Sequence, residues 1–161
     1  MDNFYRAKRS ADGQWVYGIY LPLLDGACMI PDDAAICEMQ KTVDGVNIKG
    51  HLIETVAIDK ETLGLCTGVE DSEGMPVFAG DYVKIFAAPA KERGDKTNLS
   101  LQGEVLVKET QEGLVAVADG MFPVNAVRFF ENLLAGGRRF TVSGNVYDSR
   151  ECPGQAANYI A

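Results

Sequence analysis

Four carboxylates, Asp59, Glu61, Asp71 and Asp81, fall within one glycine-rich stretch, IDKETLGLCTGVEDSEGMPVFAGDYVKI, which runs from Ile58 to Ile85 and also carries Thr62 and Thr67. Carboxylates gathered at one place can hold a divalent cation through their oxygens or share acid and base duties. The same residues have a plainer use: Asp and Thr beside Gly hydrogen-bond turn amides and cap chain reversals, while Gly supplies backbone angles closed to other residues. The groups that catalysis would need around them are missing. There is no GxxxxGK[ST] loop, no GxSxG elbow and no CxxC pair, and the single histidine, His51, has no HxxxH or HExxH spacing. No catalytic residue, metal ligand or cofactor is therefore assigned. Asp59, Thr62, Gly64, Thr67, Gly68, Asp71, Gly74, Gly80 and Asp81 are expected to be a structural signature that fixes two hairpins against slippage in register.

Composition narrows the class. At 161 residues, with 47% hydrophobic and 24% charged residues, the chain can fold as one unit around a real core, and its 17 glycines are scattered instead of forming a low-complexity tract. No run of eighteen apolar residues is present, and MDNFYRAKRSADG does not read as a secretory leader, so neither a membrane span nor export is expected. The four cysteines, Cys28, Cys37, Cys66 and Cys152, then read as reduced, small apolar side chains in a cytoplasmic protein, although a Cys28 to Cys37 bridge is conceivable. A net charge of -8 repels phosphate backbones and removes the main driving force for unspecific nucleic-acid binding.

The elements that must position these residues read as mainly β. Phe4 to Lys8 and Trp15 to Leu21 suit two strands around a turn at Ala11-Asp12-Gly13, and the period of two puts Trp15, Tyr17 and Ile19 on one face, expected to turn toward the core. Further strands are expected near Ala27 to Ile30, Ile36 to Thr42 and His51 to Ile58, with turns at Asp25-Gly26, Pro31-Asp32 and Asp44-Gly45. Asp59 to Thr62 reads as a single capped turn, Leu63 to Thr67 as a strand ended by Gly68, Asp71 to Gly74 as a type I turn, and Met75 to Phe78 as the returning strand. After a turn at Ala79-Gly80-Asp81, YVKIF alternates with Val83 and Ile85 on one side. PAKERGDKTNLS is expected to be an exposed loop, and GEVLVKE and GLVAVAD form two more strands. Asn125 to Ala135 is the one helical window, with Val127, Phe130 and Leu134 aligned and Gly136-Gly137 stopping it; Arg138 to Tyr147 is a last strand, bulged at Gly144. The expected architecture is one unit: an N-terminal β portion over about 1–58, signature hairpins and a small SH3-like barrel over about 59–150 with one short helix near 125–135, and a tail at 151–161.

The run Asp59-x-x-Thr62-x-Gly64-x-x-Thr67-Gly68, leading through Asp71 and Gly74 to Gly80-Asp81 and an apolar strand, resembles the signature of the YopX family of phage and prophage proteins. FYRAKRSADGQWVYG is similar to that family's opening hairpin, with Tyr5 and Lys8 standing where Phe and Trp are more usual, and VSGNVYDS is similar to its closing segment. The resemblance brackets nearly the whole chain apart from the irregular middle. It implies a largely β protein of mobile genetic elements and supplies no activity to transfer.

On this footing the chain is expected to be a non-enzymatic protein-binding or self-assembling module. A homo-oligomer is expected, held through the Trp15-Val16-Tyr17 region or through the helix with Phe129 and Phe130, which cannot both face one core; a host or phage protein is the other partner considered. Two alternatives remain. One is a nucleic-acid accessory protein using Lys84, Lys91, Arg93, Lys96, Arg138 and Arg139 with Tyr82, Phe86 and Phe140 as stacking groups. The other is an acidic mimic that captures a basic partner through clusters such as Glu70 to Glu73 and Asp32-Asp33.

Overall fold

Cross-strand pairing decides which side of the first hairpin becomes interior. In the computed structural model, which describes residues 3–23, 26–87 and 101–148, strand β1 (Phe4–Arg9) pairs antiparallel with β2 (Trp15–Leu23), so that Ala7 faces Val16, Arg6 faces Tyr17 and Lys8 faces Trp15. The side bearing Trp15 and Tyr17 therefore also bears two cations, and both lie over the Trp15 ring, Arg6 at 4.7 Å and Lys8 at 5.3 Å. The opposite side carries Ala7 and Val16 with Tyr5 and Tyr20, and these pack into the apolar cluster of the first unit. The expectation of a core-facing Trp15, Tyr17 and Ile19 stripe is corrected accordingly: Val16 is buried with Ala7, Met29 and Ile58, Trp15 and Tyr17 are half-buried, and Ile19 is exposed.

The chain divides into two compact units, residues 1–63 and 64–161. In the first, β2 pairs with β3 (Gly26–Pro31), and β3 pairs with the start of β6 (Val56–Glu70) through Cys28 opposite Ala57 and Met29 opposite Val56. Between β3 and β6 a separate two-stranded sheet is formed by β4 (Ile36–Val43) and β5 (Val46–Ile53), closed by Asp44 and Gly45 at φ 50° and 78°, the paired positive angles of a tight hairpin turn. The expected strand from His51 to Ile58 is thus two strands: β5 already begins at Val46, and the chain breaks at Glu54 and Thr55. There Glu54 N–H donates to the Ala35 carbonyl and Ala35 N–H donates to Glu54 Oε2, both at 3.1 Å, which ties the foot of the hairpin.

In the second unit the later half of β6 pairs with β7 (Pro76–Phe78) around a register irregularity between Cys66 and Glu70. Neither the single turn expected at Asp59 to Thr62 nor a strand end at Gly68 is formed; β6 runs through both, with Gly68 at φ 80° inside the irregular stretch. A five-stranded antiparallel sheet follows in the order β11-β10-β9-β8-β12, made of β8 (Asp81–Phe86), β9 (Leu101–Thr110), β10 (Gly113–Val117), β11 (Val124–Asn125) and β12 (Phe140–Asn145). Helix α1 (Ala126–Ala135) is capped by Asn125, whose side chain accepts from Arg128 N–H at 2.9 Å. It buries Ala126, Phe130 and Leu133, while Leu134, expected inside, is exposed. Those residues pack with Val83, Ile85, Val105, Val107, Ala116 and Phe140 into one apolar cluster. Among the described residues the protein is mainly β with one short helix. The expected loop over 89–100 and the tail over 151–161 lie outside the described residues.

Candidate functional site

The nine signature residues are where chemistry was to be sought, and the side chains of Asp59, Thr62, Thr67, Asp71 and Asp81 all hydrogen-bond main-chain groups. In the first unit, Asp59 Oδ1 accepts from Glu61 N–H at 3.1 Å, and Thr62 Oγ1 donates to the Asp59 carbonyl at 2.7 Å while accepting from Lys8 N–H at 2.8 Å. In the second, Thr67 Oγ1 donates to the Val77 carbonyl at 2.9 Å and accepts from Val69 N–H at 3.1 Å. Asp71 is 6% exposed, and its Oδ1 accepts from both Glu73 and Met75 N–H, each at 2.9 Å. Its Oδ2 accepts from Val142 N–H at 2.9 Å. Asp81 is fully buried and accepts from Phe78 N–H at 2.8 Å. Carboxylates that spend their lone pairs on main-chain amides hold loops together; they are poorly placed to take a substrate proton.

The glycines of the signature serve the same packing. Gly64 passes so near the next strand that a Cβ would stand 2.5 Å from the Ala79 carbonyl oxygen. Gly80 donates to the Val107 carbonyl at 2.7 Å and accepts from Val146 N–H at 2.9 Å, joining the Ala79-Gly80-Asp81 turn to two other segments. Gly68 and Gly74 lie at φ 80° and 82°. Among the described residues, no three His, Cys, Asp or Glu side chains gather as metal ligands.

The helix contributes a second feature. Phe130 is fully buried against Phe140, ring centroids 4.9 Å apart, and Phe129 is half-buried with its ring edge-on to Phe130 at 5.4 Å. Phe129, Met121 and Leu133 line an open groove of about 720 Å³ against β8 and β9, and Glu104, Asp119 and Arg138 stand among its polar lining. Glu104 Oε2 already accepts from Ser143 Oγ at 2.9 Å. No nucleophile and base face each other there.

The sequence reading missed the most exposed apolar surface of the first unit. Direct partners in an antiparallel ladder share a face, so the β4–β5 register places the rows Cys37 and Leu52, Met39 and Gly50, Lys41 and Ile48, and Val43 and Val46 on one side. Leu52 is 57% exposed, Ile48 46% and Val46 62%. The opposite side carries Glu38, Gln40, Thr42, Asn47, Lys49 and His51 along the hairpin, with Ile36 and Ile53, also exposed, at its foot. No hairpin residue belongs to either buried cluster. A hollow of about 590 Å³ is bordered by Glu38, Met39, Gln40, Lys49, Gly50 and His51, in the middle of the hairpin. The alternating pattern on either side of Asp44-Gly45 could have revealed this face, had the second strand been started at Val46.

Three further expectations change. Phe140 is fully buried, so it is no stacking group for nucleic acid; Lys91, Arg93 and Lys96 lie outside the described residues. Asp71 is interior, which removes it from the acidic cluster at Glu70 to Glu73. Cys37, read as a small buried side chain, is exposed, whereas Cys28 is buried and Cys66 half-buried, all three as free thiols; Cys152 lies outside the described residues. No helix among the described residues is long and apolar enough to cross a membrane. Neither a family model, nor a curated protein, nor a solved structure matches the chain.

Proposed function

We propose that the protein is a non-enzymatic binding module, of the YopX type carried by phages and prophages, in which a rigid β framework presents the β4–β5 hairpin to another protein. The YopX attribution is supported by the order and spacing of Asp59 to Asp81, and the C-terminal sheet with its helix is taken as the SH3-like part of that framework. One observation carries the binding reading: an amphipathic hairpin holds Val43, Val46, Ile48 and Leu52 on a single exposed face. Surface of that kind is retained when it is covered in use, because an isolated two-stranded sheet gains nothing for the fold by leaving apolar side chains in water. The fold spends its buried carboxylates on main-chain amides, which favours a scaffold over an enzyme. A cytoplasmic setting fits the free thiols.

The test is to remove the hairpin. Residues 36–53 are replaced by a short Gly-Ser turn joining Ala35 to Glu54, which already exchange two hydrogen bonds. The shortened protein is expected to melt within a few degrees of the parent and to lose binding of a fluorescent apolar dye. A large fall in melting temperature with dye binding retained would show that the hairpin is part of the core and sink the reading.

A further inference from the structure

We propose that the apolar face of the β4–β5 hairpin is a self-association surface, covered by the same face of a second copy across a two-fold axis. This rests on the binding-module reading above. Charge and shape favour a second copy as the occupant, and size sets the strength of the contact.

The chain carries a net charge of -8, and two copies repel at long range. The hairpin itself carries no net formal charge: between Ile36 and Ile53 the two lysines, Lys41 and Lys49, balance Glu38 and Asp44. Its apolar face shows a single charge, Lys41, at the strand edge, where the ammonium reaches water while its stem covers apolar surface. An acidic copy can approach another here without bringing carboxylates into contact.

The face is also self-complementary. With the axis crossing the strands between the two middle rows, Ile48 of one copy meets Gly50 of the other, Lys41 meets Met39, Val46 meets Leu52, and Val43 meets Cys37. Gly50 has no side chain, and a Cβ built there finds nothing within 4 Å, so the face has a notch two residues from its central projection, Ile48. Projection and notch on one strand, repeated by the axis, are what an isologous contact requires.

Size sets the strength. Eight residue pairs give a face about 27 Å long and about 10 Å wide, on the order of 300 Å² for each copy. The resulting total of about 600 Å² belongs to weak, concentration-dependent association, below the size of a permanent dimer. Because the attraction is apolar and the opposing force is the repulsion between two acidic bodies, salt strengthens this dimer; an ion-paired interface would weaken.

The experiment is sedimentation velocity of the full chain from about 1 to about 300 µM at low and high salt, on the parent and on Ile48→Asp and Gly50→Val, with circular dichroism to confirm folding. A parallel titration follows an apolar dye. The parent is expected to rise from 17.4 kDa toward twice that mass, further at high salt. Ile48→Asp is expected to stay monomeric. Gly50→Val, whose Cβ finds nothing within 4 Å, is expected to fold normally and to dimerise about tenfold more weakly by filling the notch, a change of about 1.4 kcal/mol. A dimer indifferent to both substitutions overturns the inference and leaves self-assembly by another surface. A parent that remains at 17.4 kDa throughout overturns the second copy. In that case dye binding that Ile48→Asp abolishes keeps the binding module, and no dye binding removes both.

Discussion

The carboxylate of Asp71 accepts the main-chain N–H of Val142, 71 residues further along the chain, at 2.9 Å. Its other oxygen holds the Glu73 and Met75 amides, so one buried side chain closes the Asp71 to Gly74 turn and fastens it to β12. Ser72 repeats the link from the next position, donating its N–H to the Phe140 carbonyl at 2.9 Å and accepting Phe140 N–H on Oγ at 3.0 Å. A turn that is local in sequence thereby becomes a long-range fastener.

Removing that carboxylate strands three main-chain donors, that of Glu73 in the turn, that of Met75 just after it and that of Val142 in β12. Asp71→Ala is expected to cost about 2 to 4 kcal/mol, because three hydrogen bonds to a charged acceptor are lost at once and their part-buried donors are left without that partner. Asp71→Asn keeps an amide oxygen for Glu73 and Met75 but turns an NH₂ toward the Val142 N–H, and should cost about 1 to 2 kcal/mol. Chemical denaturation of the three proteins checks the order. Equal midpoints would mean that the carboxylate does not fasten β12.

Two signature glycines separate crowding from backbone strain. At Gly64 a Cβ would stand 2.5 Å from the Ala79 carbonyl oxygen, a main-chain atom that moves only if the strand moves. Gly74 has open space around it but sits at φ 82°. Gly64→Ala is expected to cost about 2 to 3 kcal/mol by overpacking, and Gly74→Ala about 1 kcal/mol by left-handed strain. Thermal melts of the two variants should fall in that order, and the reverse order would contradict the close approach of β6 to the Ala79 turn.

Local chemistry made much of the fold legible. The Asp12-Gly13 and Asp44-Gly45 turns, the YVKIF alternation, the Asn125 cap and the Gly144 irregularity follow from side chains acting on their own neighbourhood, and β2, β8 and α1 stand where those signals put them, while the Asp25-Gly26 turn lies partly outside the described residues. What failed depended on pairing. Trp15 and Tyr17 are apolar enough for a core, but only the register opposite Lys8 and Arg6 shows that their side bears charge. Asp59 to Thr62 has the composition of a turn, and pairing with neighbouring strands keeps it extended within β6. Leu133 replaces Leu134 inside because the buried face of the helix is set by the Val83, Ile85, Val105 and Phe140 cluster it packs on, which spacing within the helix does not reveal. The hairpin face was hidden for a related reason: its second strand passes through Asn47, Lys49 and Gly50, which have poor strand propensity and are held by the partner strand.

The adjacent aromatics of α1 should separate cleanly. Phe130 is fully buried between Phe129 and Phe140, so Phe130→Ala is expected to cost about 3 to 5 kcal/mol. Phe129 lies half-buried at the groove, and Phe129→Ala should cost about 1 to 2 kcal/mol while widening the groove. Denaturation midpoints read the difference. Similar losses would place both rings in the core and remove the groove as a distinct surface.

The turn between β1 and β2 supplies a pH test. The Asp12 carboxyl titrates below its ordinary value of 3.8, chiefly because it accepts the Gln14 main-chain N–H, with the Arg9 guanidinium assisting. A carboxyl whose folded-state value is depressed binds its proton more readily in the unfolded chain. Its contribution is therefore complete above the ordinary value and is lost as the pH falls through the lower, folded-state value. The stability difference between the parent and Asp12→Asn should be constant near neutrality and shrink only in acid below about pH 4. Carbon-detected titration of Asp12 gives the midpoint directly. In Arg9→Ala that midpoint should rise only part of the way to 3.8, because the Gln14 amide remains. Full return to the ordinary value would make the guanidinium the main cause and the main-chain bond incidental.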